Sequence, residues 1–440
     1  MQLNDKKVVR AWYFFDWANS VYSLVITSTI FPIYYNKVTT VNGSDVVDFF
    51  GYPIVNSVLY SYALSFSFLI IAAILPLLTG IADYSGKKKM FMKLFTYAGG
   101  VACMSLFWFD GPEDVEFAII ASVIASISYS GSLVFYNSFL PEIVTFDRYD
   151  RVSARGFSFG YIGSVLLLVF NLLMIEQPTW FGIQSVQFAT KFSFLLVGLW
   201  WIGFAQITFY YLPENPFNRK PANGYLFNGY REIRKVWRSL RYLPTLKTYL
   251  WSFFFYNTGV QTVMYLAALF ADKELRMDGG ELIITVLIIQ LVAIGGSYLF
   301  ARLSDLRGNK YSLITMVIIW VFICLAAYFV INKYQFFVLA FVVGMVMGGI
   351  QALSRATYSK LIPANTTDHA SYFSFYDVTY NVSIVVGTFA YGFIENITGS
   401  MRNSALTLGL FFFVGLGLLI LIKIPKEALS VPHLGPASEE

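Results

Sequence analysis

Residues 80–89 read GIADYSGKKK, and residues 301–310 read ARLSDLRGNK. Each stretch follows a long apolar run and has an aspartate, then a glycine three positions later, then basic residues. An aspartate at a helix end can face the N-terminus or a basic group of a neighbouring helix, and glycine permits a tight turn. We therefore expect two equivalent turns that act as a conformational latch. The expected latch residues are Asp83, Gly86, Lys87, Lys88, Asp305, Gly308 and Lys310.

The composition predicts a chain that lies almost entirely in a membrane. Of its 440 residues, 57% are hydrophobic and only 13% are charged, whereas soluble domains have about 25% charged residues. A membrane-spanning helix needs about 20 mostly apolar residues. Such runs recur throughout this sequence, so we expect an all-α membrane protein with twelve transmembrane helices. They are predicted near residues 12–35, 55–79, 91–109, 115–139, 157–175, 189–211, 248–271, 282–303, 311–331, 334–357, 370–394 and 403–424.

The distribution of Lys and Arg predicts the orientation. If the N-terminus is inside, all but six of the 31 basic residues fall in cytoplasmic segments. The positive-inside rule then predicts a multi-pass protein of the inner membrane with both termini in the cytoplasm. This orientation also explains the net charge of +5, so we expect membrane lipids but no nucleic acid as partners. The six basic residues expected outside are Lys37, Lys191, Lys273, Arg276, Lys333 and Arg402.

Repeated features indicate an internal duplication. Asp83 and Asp305 are 222 residues apart, and Pro141 and Pro363 have the same spacing. Six helices per repeat give both halves the same orientation, which is typical of a parallel repeat about an axis along the membrane normal. We expect two pseudo-symmetric halves. The predicted boundaries are 1–212 for the N-terminal six-helix half, 213–247 for a basic cytoplasmic linker, 248–425 for the C-terminal six-helix half and 426–440 for a cytoplasmic tail.

The linker combines positive charge with a helical pattern. Apolar residues recur at helical spacing between arginines and lysines. One interpretation is an amphipathic helix at the inner headgroup surface. The other is a tether whose charge only helps to set the orientation. The apolar positions are Ile233, Val236, Trp237, Leu240 and Leu243.

Motifs of common enzyme classes are missing from the sequence. It contains no HExxH, no GxSxG in a strand-turn-helix context, no Cys/His cluster and no P-loop. Cys103 and Cys324 each lie within a predicted span, where packing is their expected role. We therefore expect neither an enzyme nor a resident metal or cofactor.

The two quoted stretches resemble the inner-loop motif of the major facilitator superfamily, G-x-x-x-D-R-x-G-R-K, at the loops after its second and eighth helices. The sequence departs from the motif at the leading glycine, where Thr79 and Ala301 stand. The resemblance implies a monomeric secondary transporter for a small-molecule substrate, working by alternating access. It also implies that the first, fourth, seventh and tenth helices line a central cavity.

A narrower resemblance involves three further segments. Residues 15–22 (FDWANSVY), 348–355 (GGIQALSR) and 375–377 (FYD) resemble signatures of the vacuolar amino-acid effluxer-like branch. That branch usually has a lysine about four residues after F-Y-D, and Asn381 stands there. The resemblance implies efflux of amino acids or related compounds. Uptake of peptides, cell-wall fragments or sugars, and a non-transporting sensor or membrane enzyme, remain alternatives.

Polar residues within the spans mark the candidate site. Polar side chains in hydrocarbon are costly, so they face a wet cavity or each other. Asp16, Arg355 and Asp377 are ionisable and either bind substrate and a coupling ion such as a proton, or form an ion pair or inner gate, for example Arg355 with Asp377. Arg355 also offers a planar fork for a carboxylate. The candidate substrate-binding or coupling residues are Asp16, Asn19, Tyr22, Asn137, Asn257, Gln261, Gln351, Arg355, Tyr376, Asp377 and Asn381.

Overall fold

A computed structural model describes residues 3–214, 231, 234–398 and 400–424. Its regular structure in these ranges is helical apart from one antiparallel hairpin between β1 (Val46–Phe49) and β2 (Tyr52–Val55). The α-helices are α1 (Lys6–Val21), α2 (Ile30–Thr39), α3 (Asn56–Ser85), α4 (Lys88–Ser105), α5 (Val115–Ser138), α6 (Leu140–Ile143), α7 (Tyr149–Glu176), α8 (Val186–Tyr211), α9 (Pro244–Leu275), α10 (Gly279–Arg307), α11 (Asn309–Phe329), α12 (Lys333–Leu361), α13 (His369–Thr398) and α14 (Met401–Leu421).

Each predicted span overlaps a long helix, the first of them as α1 together with α2. Most of these helices extend beyond the predicted apolar segments into the polar residues that flank them. Within the described ranges, nine helices are long and apolar enough to cross a membrane: α3, α4, α5, α7, α8, α10, α11, α12 and α14. Four helices that overlap predicted spans are not among these nine. Helices α1 and α2 are each short, whereas α9 and α13 are long but carry polar residues that line the central cavity.

The first predicted span is interrupted. Helix α1 continues into a π-helical turn, Tyr22–Thr27. The helical conformation is then interrupted before α2 at Thr29, which has φ −131° and ψ −86°. The Thr29 hydroxyl donates to the Leu24 carbonyl at 2.6 Å, and the Ser28 hydroxyl donates to the Ser23 carbonyl at 2.9 Å. These hydroxyls satisfy carbonyls that a regular helix would pair, which allows irregular backbone at membrane depth.

The helices pack in two groups. In the first group (α1–α8), α1 packs on α7 and α8, and α4 packs on α5 and α8. In the second group (α9–α14), α10 packs on α12, and α9 packs on α13 and α14. The groups meet where α3, α5 and α7 contact α10, α12 and α13.

The two ends of the bundle differ in their connections. The end where α1 begins carries the α3–α4 and α10–α11 turns, and we call it the basic face. The opposite end carries the β1–β2 hairpin, and we call it the hairpin face.

Glycines set the close approach of α12 to α10. A Cβ on Gly344 would lie 2.5 Å from the Ile289 carbonyl oxygen, and a Cβ on Gly348 would lie 2.1 Å from that of Ala293. Backbone cannot give way easily, so a larger residue at either position would force the helices apart. Small residues four apart are typical of close helix packing in membranes. This contact fixes the helix that carries Arg355.

Candidate functional site

A cavity of about 130 Å³ lies between the two helix groups. A single buried water needs roughly 10–15 Å³ measured in the same way, so the cavity has room for a small solute. Helices α1, α5, α9 and α12 line it, as expected for the first, fourth, seventh and tenth spans, and α7, α10 and α13 contribute further residues. Eight predicted residues line the cavity: Asp16, Asn137, Asn257, Gln261, Gln351, Arg355, Tyr376 and Asp377.

The other three predicted residues are not part of the cavity wall. Tyr22 packs against the rings of Tyr129 and Trp201, with centroids at 5.0 and 5.7 Å. Asn19 is buried, and the Asn381 amide donates to the Asp377 backbone carbonyl at 2.7 Å.

Arg355 forms a buried ion pair with Asp16. Its Nη2 lies 3.3 Å from Asp16 Oδ2, and both side chains are almost completely inaccessible. The pair connects α12 of the second group to α1 of the first. The sequence-based hypothesis of an Arg355–Asp377 ion pair is therefore wrong for this conformation. A sequence shows that three charges lie within spans but not which two helices bring their charges together.

Every N–H group of the Arg355 guanidinium has an acceptor. Nε donates to the Ser153 hydroxyl at 2.9 Å, and Nη2 donates to the Ser153 carbonyl at 3.0 Å and to Asp16. Nη1 donates to Asp16 at 3.4 Å and to Asn137 Oδ1 at 3.3 Å. Because a guanidinium has five donors, none is left here for a substrate carboxylate.

Aromatic rings enclose the same guanidinium. Its central carbon lies 4.2 Å from the ring centroid of Phe157 and 4.7 Å from that of Trp12. Tyr136 donates its hydroxyl to Asp16 Oδ2 at 2.7 Å and stacks on Trp12 with centroids 4.4 Å apart. The rings add cation–π attraction where water is excluded, so they strengthen the hold on Arg355.

Gly156 makes room for the ion pair. A Cβ at this position would lie 2.5 Å from Asp16 Oδ2 and 3.0 Å from Arg355 Nη2. Even alanine would push into both partners. The glycine on α7 is therefore required for the ion pair to fit against this helix.

Asp377 lines the cavity but lacks the partners that Asp16 has. Its carboxylate is buried, and Oδ2 has no hydrogen-bond partner among the residues that the structure describes. An unpaired buried carboxylate is costly unless a proton, a cation or a donor neutralises it. Asp377 is thus the carboxylate in the cavity that is best placed to receive a ligand.

Neutral polar side chains complete the cavity wall. Tyr161 donates its hydroxyl to Gln351 Oε1 at 2.6 Å, which links α7 to α12. Asn257 donates to the Ser383 hydroxyl at 2.6 Å, and Gln261 donates to Asn257 Oδ1 at 3.3 Å. These contacts fix amide groups along one side of the cavity.

Sequence reasoning missed several cavity residues. Ser20 and Ser23 follow Asp16 at four and seven positions, so helical periodicity alone indicates them. Gln290 lies alone in the apolar run of α10, and its buried Oε1 has no partner within the described chain. An isolated amide in a membrane span is a signal of function. Tyr161 had no such signal because tyrosine is frequent throughout this sequence.

The first expected latch connects the two groups at the basic face. Asp83, at the end of α3, accepts the backbone N–H groups of Ala370 at 3.3 Å and Ser371 at 2.6 Å. Both donors belong to the first turn of α13, where the free N–H groups and the helix dipole favour an anion. Gly86 ends α3 with φ +70°, a conformation that suits glycine.

The second latch uses a side chain instead of a helix end. Asp305 Oδ2 accepts from Arg151 Nε at 2.8 Å, and Arg151 belongs to the first turn of α7. Gly308 forms the following turn with φ +88°. The two options considered from the sequence, a helix N-terminus and a basic group, are thus each used once.

The lysines after the two turns have different contacts. Lys88 forms a buried ion pair with Glu142, and Lys310 donates to the Ile420 carbonyl at 2.6 Å near the end of α14. Lys87 is exposed at the start of α4. Lys88 and Lys310 therefore bind within their own helix group, whereas the two aspartates reach across.

Asp150 forms a polar cluster that the sequence did not predict. Its carboxylate accepts from Ser304 at 2.9 Å, Asn309 at 2.7 Å and Lys360 at 2.7 Å. Asp150 belongs to the first group and the three donors belong to the second. The DRYDR segment at 147–151 reads as an ordinary charged loop, so nothing in the pattern distinguishes this aspartate.

Three layers of contacts along α12 separate the cavity from the basic face. Gln351 meets Tyr161 at the cavity, Arg355 meets Asp16 one turn further, and Lys360 meets Asp150 next to the face. Each layer joins the two helix groups. The basic face is therefore closed in this conformation.

Within the described ranges, no group of three or more His, Cys, Asp or Glu side chains is arranged to hold a metal ion.

Known proteins resemble this chain over almost its whole length. It is 29% identical to the "Uncharacterized MFS-type transporter YxiO" of Bacillus subtilis over 96% of this chain and 95% of the relative. It is 24% identical to "Autophagy-related protein 22" of Kluyveromyces lactis over 93% and 92% of the two chains. These relatives are named as a transporter and as an autophagy-related protein.

Solved structures of transporters have the same fold. The outward conformation of FucP, a major facilitator superfamily transporter, superimposes with a TM-score of 0.68 at 13% identity, covering 95% of this chain and 98% of FucP. The proton:xylose symporter XylE superimposes with a TM-score of 0.70 at 14% identity, covering 94% and 95%. These likenesses identify the fold, which this chain shares with the two transporters.

A family model agrees with the residues that first suggested it. The model described as "Vacuole effluxer Atg22 like" matches residues 4–429, a range that includes all three signature segments. The protein is thus a transporter and not an enzyme, and it belongs to the Atg22-like family of the major facilitator superfamily.

Proposed function

We propose that this protein is a secondary transporter that exports an amino acid or a related zwitterion by alternating access, coupled to proton entry. The two six-helix halves, 1–212 and 248–425, would move about the cavity, joined by the linker 213–247 and followed by the tail 426–440. We assign the basic face to the cytoplasm of an inner membrane because Lys and Arg concentrate there. The protein would work as a monomer.

One observation carries the substrate proposal. Asp377 has an unpartnered buried oxygen in the cavity, while Asp16 is paired with Arg355. A cationic group such as an ammonium is the natural partner for Asp377. The amides and tyrosine hydroxyls around it, including Asn257 and Gln261, can bind the remaining polar atoms of a small solute.

The state of Arg355 supports export. In the present conformation all five of its donors are used, so the fork cannot hold a substrate carboxylate. When the two groups separate at the basic face, Arg355 on α12 loses Asp16 on α1. The fork is then free next to Asp377, and a zwitterion can place its carboxylate on the arginine and its ammonium on the aspartate.

Closure then drives release on the other side. As the basic face closes, Asp16 pairs with Arg355 again, and the substrate carboxylate loses its contact with the arginine. A proton arriving from the hairpin face can replace the ammonium on Asp377. When the basic face opens again, the nearby Arg355 favours the ionised carboxylate, and the proton leaves to the cytoplasm. This order gives tight binding inside, weak binding outside and one proton moved inwards per cycle.

Sugar uptake is a second candidate. Neutral donors and aromatic rings, among them Tyr129, Tyr256, Tyr265 and Tyr380, also line the cavity. A sugar would use these groups and would have no need of the charge on Asp377. The two candidates therefore differ in what they require of that residue.

Thermal stabilisation of the purified protein distinguishes the candidates. A ligand that binds the folded state raises the Tm. We expect amino acids at millimolar concentration to raise the Tm, and N-acetyl amino acids, which lack the ammonium, to have no effect. Asp377→Asn should weaken binding and therefore reduce the shift. The matched control is Asp110→Asn, because Asp110 pairs with Lys191 near the hairpin face, outside the cavity. A shift with sugars and none with amino acids would favour the second candidate.

A further inference from the structure

A second cavity, of about 650 Å³, lies on the outer side of the second helix group at the basic face. It is bounded by the linker helix at residues 234–239 with the turn that follows, by α9 and by α13, and we call it the linker groove. Its position is separate from the central cavity. The apolar residues of its walls are Trp237, Leu240, Leu250, Trp251, Phe254, Phe375, Val378 and Val382.

The linker helix is amphipathic in the described residues. Val236 and Leu240 are buried, while Arg234, Lys235 and Arg238 are exposed. This agrees with the interpretation of a helix lying along the inner headgroup surface. The predicted apolar position Ile233, like the tail 426–440, lies outside the described residues.

Two cations lie at the rim of the groove. Arg241 and Lys247 are both exposed and line it, and neither side chain makes an ion pair or hydrogen bond with another described residue. Trp237 and Trp251 flank the same opening and are 58% and 54% exposed. Tryptophan is enriched at the level of lipid headgroups, where its ring is apolar and its N–H is polar.

From this combination, we propose that the linker groove binds one anionic phospholipid of the cytoplasmic leaflet. The acyl chain would lie between α9 and α13 along the apolar walls, and the phosphate would lie between Arg241 and Lys247. Charge complementarity selects the lipid, because a neutral headgroup gains little from two cations and a soluble anion leaves the apolar walls uncovered. This proposal is independent of the transported substrate.

The groove is connected to the closed basic face. The linker forms two hydrogen bonds near the start of α13. Lys235 donates to the Asp368 carboxylate at 2.8 Å, just before the helix, and the hydroxyls of Ser239 and Tyr372 lie 2.8 Å apart at its first turn. Asp83 accepts hydrogen bonds from the backbone N–H groups of Ala370 and Ser371, which belong to the same first turn of α13. A lipid that fixes the linker against α9 and α13 would therefore also stabilise the helix end used by the latch.

Lipid-dependent stability of the full chain in detergent tests the proposal. We expect phosphatidylglycerol to raise the Tm by several degrees, and phosphatidylcholine or glycerol 3-phosphate to have little effect. The variant R241Q/K247Q should lose at least half of the shift. The control K6Q/R302Q removes the same charge from exposed positions at the basic face, outside the groove, and should keep the shift.

Each other outcome would overturn the proposal. Equal shifts with phosphatidylcholine would mean general solvation by lipid, and equal shifts with glycerol 3-phosphate would mean a soluble-anion site. A full shift in R241Q/K247Q, or equal loss in the control, would place the lipid elsewhere.

A second measurement tests the proposal if R241Q/K247Q does not fold. It is the quenching of tryptophan fluorescence by a phospholipid with a brominated acyl chain. Brominated phosphatidylglycerol should quench the wild type more than Trp251→Phe, because Trp251 forms a wall of the groove. Equal fractional quenching of the two proteins would exclude a chain bound beside this residue.

Discussion

Arg355 and Asp16 contact each other at 3.3 Å across the boundary between the two helix groups, and Tyr136 donates to the same carboxylate oxygen at 2.7 Å. In this conformation, the contact that joins the two helix groups also pairs the arginine with a carboxylate. The same contact leaves Asp377 without its nearest possible counter-charge. The transport proposal depends on this exchange of partners.

Loss of the arginine should open the basic face. We expect Arg355→Met to increase labelling of a cysteine introduced at Ser23, which lines the cavity, by an impermeant maleimide applied from the basic face. The reason is that Asp16 keeps only Tyr136 as a donor and the middle layer of contacts is lost. Labelling would be measured in vesicles, with Cys103 and Cys324 replaced by serine.

The matched control is Arg402→Met. Arg402 pairs with Glu274 at 3.0 Å within the second group, so its loss removes an ion pair without separating the groups. It should leave labelling unchanged. If Arg355→Met behaves like this control, the ion pair does not hold the basic face closed.

The two latch aspartates should differ in importance. Asp83 is buried and accepts two backbone N–H groups, whereas Asp305 pairs with an exposed Arg151. A hydrogen bond to a buried charge contributes about 1.5–3 kcal/mol, so Asp83→Asn should lower the free energy of unfolding by about that amount. Asp305→Asn should cost much less, because exposed pairs are screened by water. Thermal unfolding of both variants measures the difference, and equal effects would contradict this assignment.

The Asp150 cluster should show strong coupling between partners. Removing one member of a buried ion pair costs about 3–5 kcal/mol, because the other charge is left uncompensated. We expect Asp150→Asn and Lys360→Met each to destabilise the protein, and the double variant to lose less than the sum. A double-mutant cycle on thermal unfolding measures the coupling. Additive effects would mean that the 2.7 Å contact contributes nothing specific.

Asp377 should be needed for coupling. We expect Asp377→Asn to abolish accumulation driven by a proton gradient, since a neutral amide cannot exchange a proton, and to weaken but not abolish exchange of substrate for substrate. Both activities would be measured in proteoliposomes. The control is Asn257→Asp, which adds a carboxylate to the cavity without removing Asp377. Normal gradient-driven accumulation in Asp377→Asn would exclude this residue as the proton carrier.

The all-helical fold class was largely predictable because long apolar runs recur along the chain, and each predicted span overlaps a helix. The helix ends were less predictable, since α3 reaches Ser85 through polar residues beyond its apolar run. The break at Thr29 was not predictable, because serine and threonine hydroxyls compensate for it locally. Regular periodicity gives no warning of such compensation.

The candidate site was predictable in kind but not in pairing. Asp16, Arg355 and Asp377 stand out as charges within apolar spans, and all three line the cavity. Which carboxylate meets the arginine depends on how α1, α12 and α13 are placed in space. Asp150 was missed for the opposite reason, since a charged residue in a polar loop is unremarkable until its three partners surround it.

The most direct test is transport by the purified protein in vesicles loaded with a mixture of amino acids, short peptides and sugars. External proton concentration would be raised to create an inward gradient, and the solutes remaining inside would be measured over time. The account predicts that zwitterionic amino acids leave faster with the gradient than without it, that sugars stay, and that Asp377→Asn removes the effect of the gradient. Retention of every amino acid under both conditions, or gradient-dependent movement of sugars alone, would contradict it.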